Sequence, residues 1–103
     1  MTDVPGLELL VVEVPDRRRF EVRTVDGTTI GRADYERMGQ VLAFTHTEGD
    51  PAYEGRGVAG RLVGESLDQV RASGRRIVAY CPYVRSWLRR HPGYADLVQP
   101  SSA

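Results

Sequence analysis

The chain has 103 residues, 41% hydrophobic and 27% charged, and its fourteen Asp and Glu balance fourteen basic residues, all of them Arg. A zero formal charge argues against a dedicated nucleic-acid binder, which carries a basic excess, and no apolar run approaches the roughly 18 residues of a membrane span. Cys81 is the only cysteine, so no intramolecular disulfide forms; with no signal-like start at Met1-Thr2-Asp3-Val4-Pro5, a reducing cytoplasm is expected.

A chain this long suits one domain over residues 1–103, with a two-layer core over about residues 9–98. Leu9 to Val14 reads as a strand closed by Pro15-Asp16. Residues 19–25 alternate, with Phe20, Val22 and Thr24 on one face and Arg19, Glu21, Arg23 and Val25 on the other. Asp26-Gly27 is a hairpin signal. A returning strand covers about residues 28–37, and Met38-Gly39 is a second tight turn. Val41 to Thr47 is the most apolar strand and is placed centrally, with Leu42, Phe44, His46 and Glu48 on one face.

After a loop at Gly49-Asp50-Pro51 the period becomes helical. Ala59, Leu62, Val63, Ser66, Leu67 and Val70 form one stripe, and Gly74 is placed to end that helix. Ile77 to Tyr80 reads as a buried strand. Pro82 suits a first helical position, Val84, Trp87, Leu88 and His91 form a short second stripe, and Pro92 ends it. The predicted fold is therefore α/β, with a mixed sheet of α+β character. A four-strand antiparallel meander leads into a right-handed βαβ unit, and a short C-terminal helix follows.

Chemistry concentrates at one edge of that sheet. Glu54-Gly55-Arg56-Gly57-Val58-Ala59-Gly60 is a glycine-rich turn running from the fourth strand into a helix. Glycines allow close approach to an anion, and first-turn amides point at phosphate oxygens. His46 lies near the end of the fourth strand. Cys81 closes the fifth strand at a helix N-terminus, where thiolate is favoured. His46 can serve as general base or pair with the thiol, Glu48 can orient the imidazole, and Tyr80 and Tyr83 can supply hydroxyls. Arg85, Arg89 and Arg90 read as a solvated helix face, from which one could meet a cofactor phosphate, and Arg17-Arg18-Arg19 as a solvated turn or edge, while His91 reads as packing or capping. No metal site is expected, because Cys81, His46 and His91 lack ligand spacing.

Glu54-Gly55-Arg56-Gly57-Val58-Ala59 resembles the acetyl-CoA pyrophosphate motif of the GNAT acetyltransferases, with Glu54 where Arg or Gln is usual. His46-Thr47-Glu48, Cys81-Pro82-Tyr83-Val84 and His91-Pro92-Gly93-Tyr94-Ala95-Asp96-Leu97 extend the resemblance to a group of short stand-alone GNAT-like proteins. The chain has Gly49-Asp50 where that group tends to have Val-Pro, and it lacks the acceptor-groove helices and terminal strands of full-length enzymes. The resemblance implies a truncated GNAT-like fold. Gly55, Arg56, Gly57, Val58, Ala59 and Gly60 would bind the acetyl-CoA pyrophosphate, and the pantetheine arm would lie where the fourth and fifth strands splay. His46 and Cys81 are the implied catalytic pair.

Acetyl transfer to an amine acceptor can then pass through acetyl-Cys81, or by direct attack with His46 taking the proton. The alternative is a non-catalytic acyl-CoA-binding or partner-docking module. A monomer or weak homodimer is expected, with no nucleic-acid or membrane partner.

Overall fold

Five strands lie side by side in chain order in the computed structural model, which describes residues 8–100. β1 (Leu9–Val14), β2 (Arg19–Thr24), β3 (Thr29–Met38) and β4 (Val41–Gly49) form the expected antiparallel meander. α1 (Val58–Ala72) crosses over to β5 (Arg76–Ala79), which pairs parallel with β4. α2 (Pro82–Arg90) follows, then a 3-10 turn at Pro92–Leu97, after which the Gln99 amide donates to the Ile77 carbonyl on β5 at 2.7 Å. No helix among the described residues is long and apolar enough to cross a membrane.

The core lies between one sheet face and the two helices. Phe20, Tyr35 and Phe44 converge from β2, β3 and β4 with ring centroids 5.7–6.0 Å apart. The α1 stripe of Leu62, Val63, Leu67 and Val70 packs on them and is almost wholly buried. Each such side chain contributes about 2 kcal/mol on removal from water. α1 stops where Gly74 predicts. Gly74 takes a φ of +75°, which only glycine adopts without cost, and the Arg75 amide donates to the Val70 carbonyl while the Gly74 amide donates to Arg71.

α2 lies beside α1 because α1 carries a glycine at the contact. A Cβ on Gly64 would sit 3.2 Å from the Trp87 ring. Trp87 is held in turn by His91, stacked at 3.8 Å, and by the edge of Tyr94 at 4.9 Å. His91 Nδ1 lies 2.8 Å from the Trp87 carbonyl, so this histidine does pack and cap. Tyr94 donates to Asp68 at 2.8 Å and Arg71 pairs with Asp96 at 2.7 Å, which fastens the last turn to α1.

No described element covers the opposite face of the sheet. Leu10 and Tyr80 are 59% and 63% exposed there. Its centre is ionic. Glu21 is 5% exposed beneath Arg19 and Arg23, which donate to it at 2.8 and 2.7 Å, with Thr29 at 3.1 Å. Burial pushes the Glu21 carboxyl up, and the two arginines and Thr29 more than offset this and hold it below its ordinary value. Arg19 is thus half-buried and engaged on an inner strand, not part of a solvated turn or edge.

Candidate functional site

The glycine turn forms the mouth of a cleft of about 430 Å³, lined by Asp50, Tyr53, Glu54, Gly57, Gly60 and Tyr83 among others. Asp50 shapes its approach by accepting from the Ala52 amide at 2.9 Å. Gly55 and Gly57 take φ of +83° and +76°, and a Cβ at either would meet nothing within 4 Å. Gly57 is the N-cap of α1 and has no side chain to cap it. The Arg61 amide is the first to donate into the helix, to the Gly57 carbonyl at 3.0 Å. The amides of Val58, Ala59 and Gly60 precede that bond, so they are free for an outside acceptor, as the first turn of any helix is. Arg56 lies 5.8 Å over the Tyr53 ring, outside the turn.

The cleft meets a gap in the sheet. β4 and β5 pair only from Val41↔Arg76 to Phe44↔Ala79, while β4 continues to Gly49. The Tyr80 and Cys81 amides both donate to the Phe44 carbonyl at 2.9 Å, and there the strands part. Residues 45–49 therefore present an unpaired edge beside α2. Cys81 is the N-cap of α2, as its position before Pro82 suggested. Tyr83 faces the cleft, with its hydroxyl 3.7 Å from where a Gly60 Cβ would lie. Tyr80 points into solvent.

Simple alternation misplaces His46. Tyr35 pairs with Phe44 and Asp34 with His46, so Thr45 has no partner and forms a bulge. One extra residue inverts the alternation beyond it. Leu42 and Phe44 face the core, but His46 and Glu48 emerge on the uncovered face. Thr47 takes the inner side instead, and its Oγ1 lies 3.3 Å from Cys81 Sγ. Cys81 is 3% exposed, so the thiol's partner is Thr47 rather than His46.

His46 has ionic company. Its Nε2 lies 3.8 Å from Glu48 Oε2, near the carboxylate but beyond hydrogen-bond reach. Arg32 reaches Glu48 at 2.6 Å and Asp34 at 3.2 Å. These four residues form a block on two neighbouring strands. Thr47, Arg32 and Asp34 were not visible as site residues in the sequence, because the pairing register that gathers them depends on an unmarked bulge.

Residues 19–97 match the GCN5-related N-acetyl-transferase family. The chain belongs to this family. Acetyl transfer from acetyl-CoA is the chemistry of the GCN5-related N-acetyltransferases, the family to which this chain belongs. Protein NATD1 of Bos taurus is 32% identical over 87 residues, which cover 82% of this chain and 77% of that protein. Protein NATD1 of Gallus gallus is 31% identical over 98 residues, covering 92% and 89%. N-alpha-acetyltransferase RimI of Mycobacterium tuberculosis is 47% identical over 49 residues, covering 44% and 31%. The NMR solution structure of a GCN5-like protein from Staphylococcus aureus superposes with a TM-score of 0.65 at 18% identity, covering 96% of this chain and 94% of that one. The GCN5-related fold is thus present here, with two helices on one sheet face and no element among the described residues on the other.

Proposed function

We propose that this chain transfers an acetyl group from acetyl-CoA to an amine, holding the diphosphate on residues 55–60 and using His46 as general base. The observation that carries this reading is the set of uncommitted first-turn amides at the cleft mouth, behind two glycines whose Cβ positions are empty. Amides of Gly55, Gly57, Val58, Ala59 and Gly60 would converge on the diphosphate, while the Arg56 amide already donates to the Tyr53 carbonyl at 3.3 Å and would have to give up that bond to join them; the α1 dipole adds to the attraction. The unpaired edge of residues 45–49 offers main-chain groups to the extended, amide-bearing arm of the cofactor.

Bound acetyl-CoA supplies the activated acyl carbon. An N–C bond forms as the C–S bond breaks, the amine proton passes to His46, and the departing thiolate is reprotonated. Cys81 and Tyr83 carry the S–H and O–H groups beside the strand gap that can return that proton. Direct attack is favoured over acetyl-Cys81, because the thiol is buried against Thr47 while His46 is open to solvent.

Thermal melting with acetyl-CoA tests the binding half. A ligand at a hundred times its Kd stabilises by about 2.7 kcal/mol, and no shift at millimolar acetyl-CoA overturns the reading. His46→Ala should keep the shift and lose turnover. If no amine is ever acetylated, the chain is an acyl-CoA-binding module. An added acetyl group in the intact mass, absent from Cys81→Ala, would replace the direct route by the covalent one.

A further inference from the structure

We infer that the acceptor is a small zwitterionic amine of the α-amino-acid type, seated in a second cleft on the uncovered sheet face; this rests on the acetyl-transfer reading above. The cleft has a volume of about 450 Å³, a size suited to a small molecule. One wall comes from β2 and β3 and carries Arg19, Thr29 and Arg32. The other comes from the end of β4 and the turn after it, and carries Glu48 and Asp50. The cleft therefore carries both signs of charge, with Arg19 toward β2, Asp50 past the end of β4, and Arg32 and Glu48 between them already paired at 2.6 Å.

Its position sets the direction of the ligand. Gly49, Asp50 and Pro51 line both this cleft and the cofactor cleft, so the two sites are back to back across one short stretch of main chain. Glu48, on the β4 wall, is also the neighbour of His46. An ammonium group drawn to Glu48 and Asp50 thus lies on the side of the base and the acyl donor, where one proton passes to His46 to free the attacking lone pair and the second is balanced by protonation of the departing thiolate. The far end of the acceptor then falls on the wall that carries Arg19.

That wall has donors to spare. Arg19 spends only its Nε on Glu21, and its two terminal nitrogens have no partner among the described residues. Glu21 is already served by Arg23 and Thr29. Arg32 commits Nε to Asp34 and one terminal nitrogen to Glu48, which leaves the other. Paired terminal N–H groups of a guanidinium match a carboxylate. A polyamine would instead set a second cation against two guanidiniums, and a plain amine would leave the terminal nitrogens of Arg19 without an acceptor.

The test is an amide NMR titration of the ¹⁵N-labelled chain with each proteinogenic α-amino acid and with its C-terminal carboxamide. At least one acid should move the Thr29, Gly31 and Gly49 resonances, and its carboxamide should bind about tenfold more weakly. Arg19→Gln should weaken the acid about tenfold and leave the carboxamide unchanged. The acid–carboxamide comparison on the unaltered chain needs no variant to fold. Equal binding of acid and carboxamide, equal losses in Arg19→Gln, or no binding by any amino acid overturns the assignment. Acetyl-CoA melting is read separately. A chain that discriminates acid from carboxamide but ignores acetyl-CoA keeps this cleft and loses the transfer reaction.

Discussion

Glu13→Gln is the perturbation with the most legible consequence. Glu13 lies on β1 and accepts from Arg75 at 3.0 and 2.8 Å and from the Tyr35 hydroxyl at 2.6 Å. It thereby ties the first strand to β3 and to the turn between α1 and β5. The Glu13 and Arg75 side chains are 19% and 16% exposed. Exposed pairs contribute at most about 1 kcal/mol, and breaking a fully buried pair costs about 3–5 kcal/mol. Mostly buried but touching water, this pair falls between, and we expect a loss of about 2 kcal/mol at neutral pH. In a chain of this size that lowers Tm by about 10 °C.

The same contact predicts a pH dependence. The Arg75 guanidinium holds the Glu13 carboxyl below its ordinary 4.5, against the opposing effect of burial. A carboxyl depressed in the folded state contributes fully above its unfolded value, and that contribution vanishes as pH falls through the folded one. Urea unfolding of both proteins should therefore show a wide gap at neutral pH that closes as the pH falls below the ordinary carboxyl value of 4.5. Glu21, Asp26 and Asp96 are also depressed, but they are common to both proteins and cancel in the difference. Burial first, and then Glu13, pushes the Tyr35 phenol up to about 12, so the variant's phenol should ionise at lower pH. A gap that stays constant from neutral to acid pH would refute the assignment to Glu13 ionisation. So would strict additivity with Arg75→Gln.

Gly57→Ala should lower stability by about 1 kcal/mol, the cost of a Cβ in the left-handed region, since nothing crowds that atom. Its larger effect should be loss of the acetyl-CoA melting shift, because the added methyl occupies the anion cradle; an unchanged shift would remove the turn from the site. Ser66→Ala should leave stability unchanged or raise it by up to about 1 kcal/mol in urea unfolding. Ser66 is fully buried on α1, and among the described residues its hydroxyl has no partner to lose.

Local chemistry made much of the scaffold readable. The hairpin at Asp26-Gly27, the stop at Gly74, the helix start at Pro82 and the α1 stripe all depend on a residue and its near neighbours, and each stands where its pattern places it. The glycine turn was readable for the same reason, since free amides follow from any uncapped helix start. The inner and outer faces of β2 also agreed with alternation.

Periodicity on one chain, by contrast, carries no information about its partner's register. Thr45 looks like any strand residue, yet the pairing of β3 with β4 leaves it unmatched and turns His46 outward and Thr47 toward Cys81. Arg19, Arg32 and Glu48 likewise acquire their relation only across three paired strands. The order of elements and the anion-binding turn were thus determined by the residues themselves. Which side chains share a cleft was decided by packing, because a bulge of one residue is settled by how two strands and the helices above them fit, and not by either strand alone.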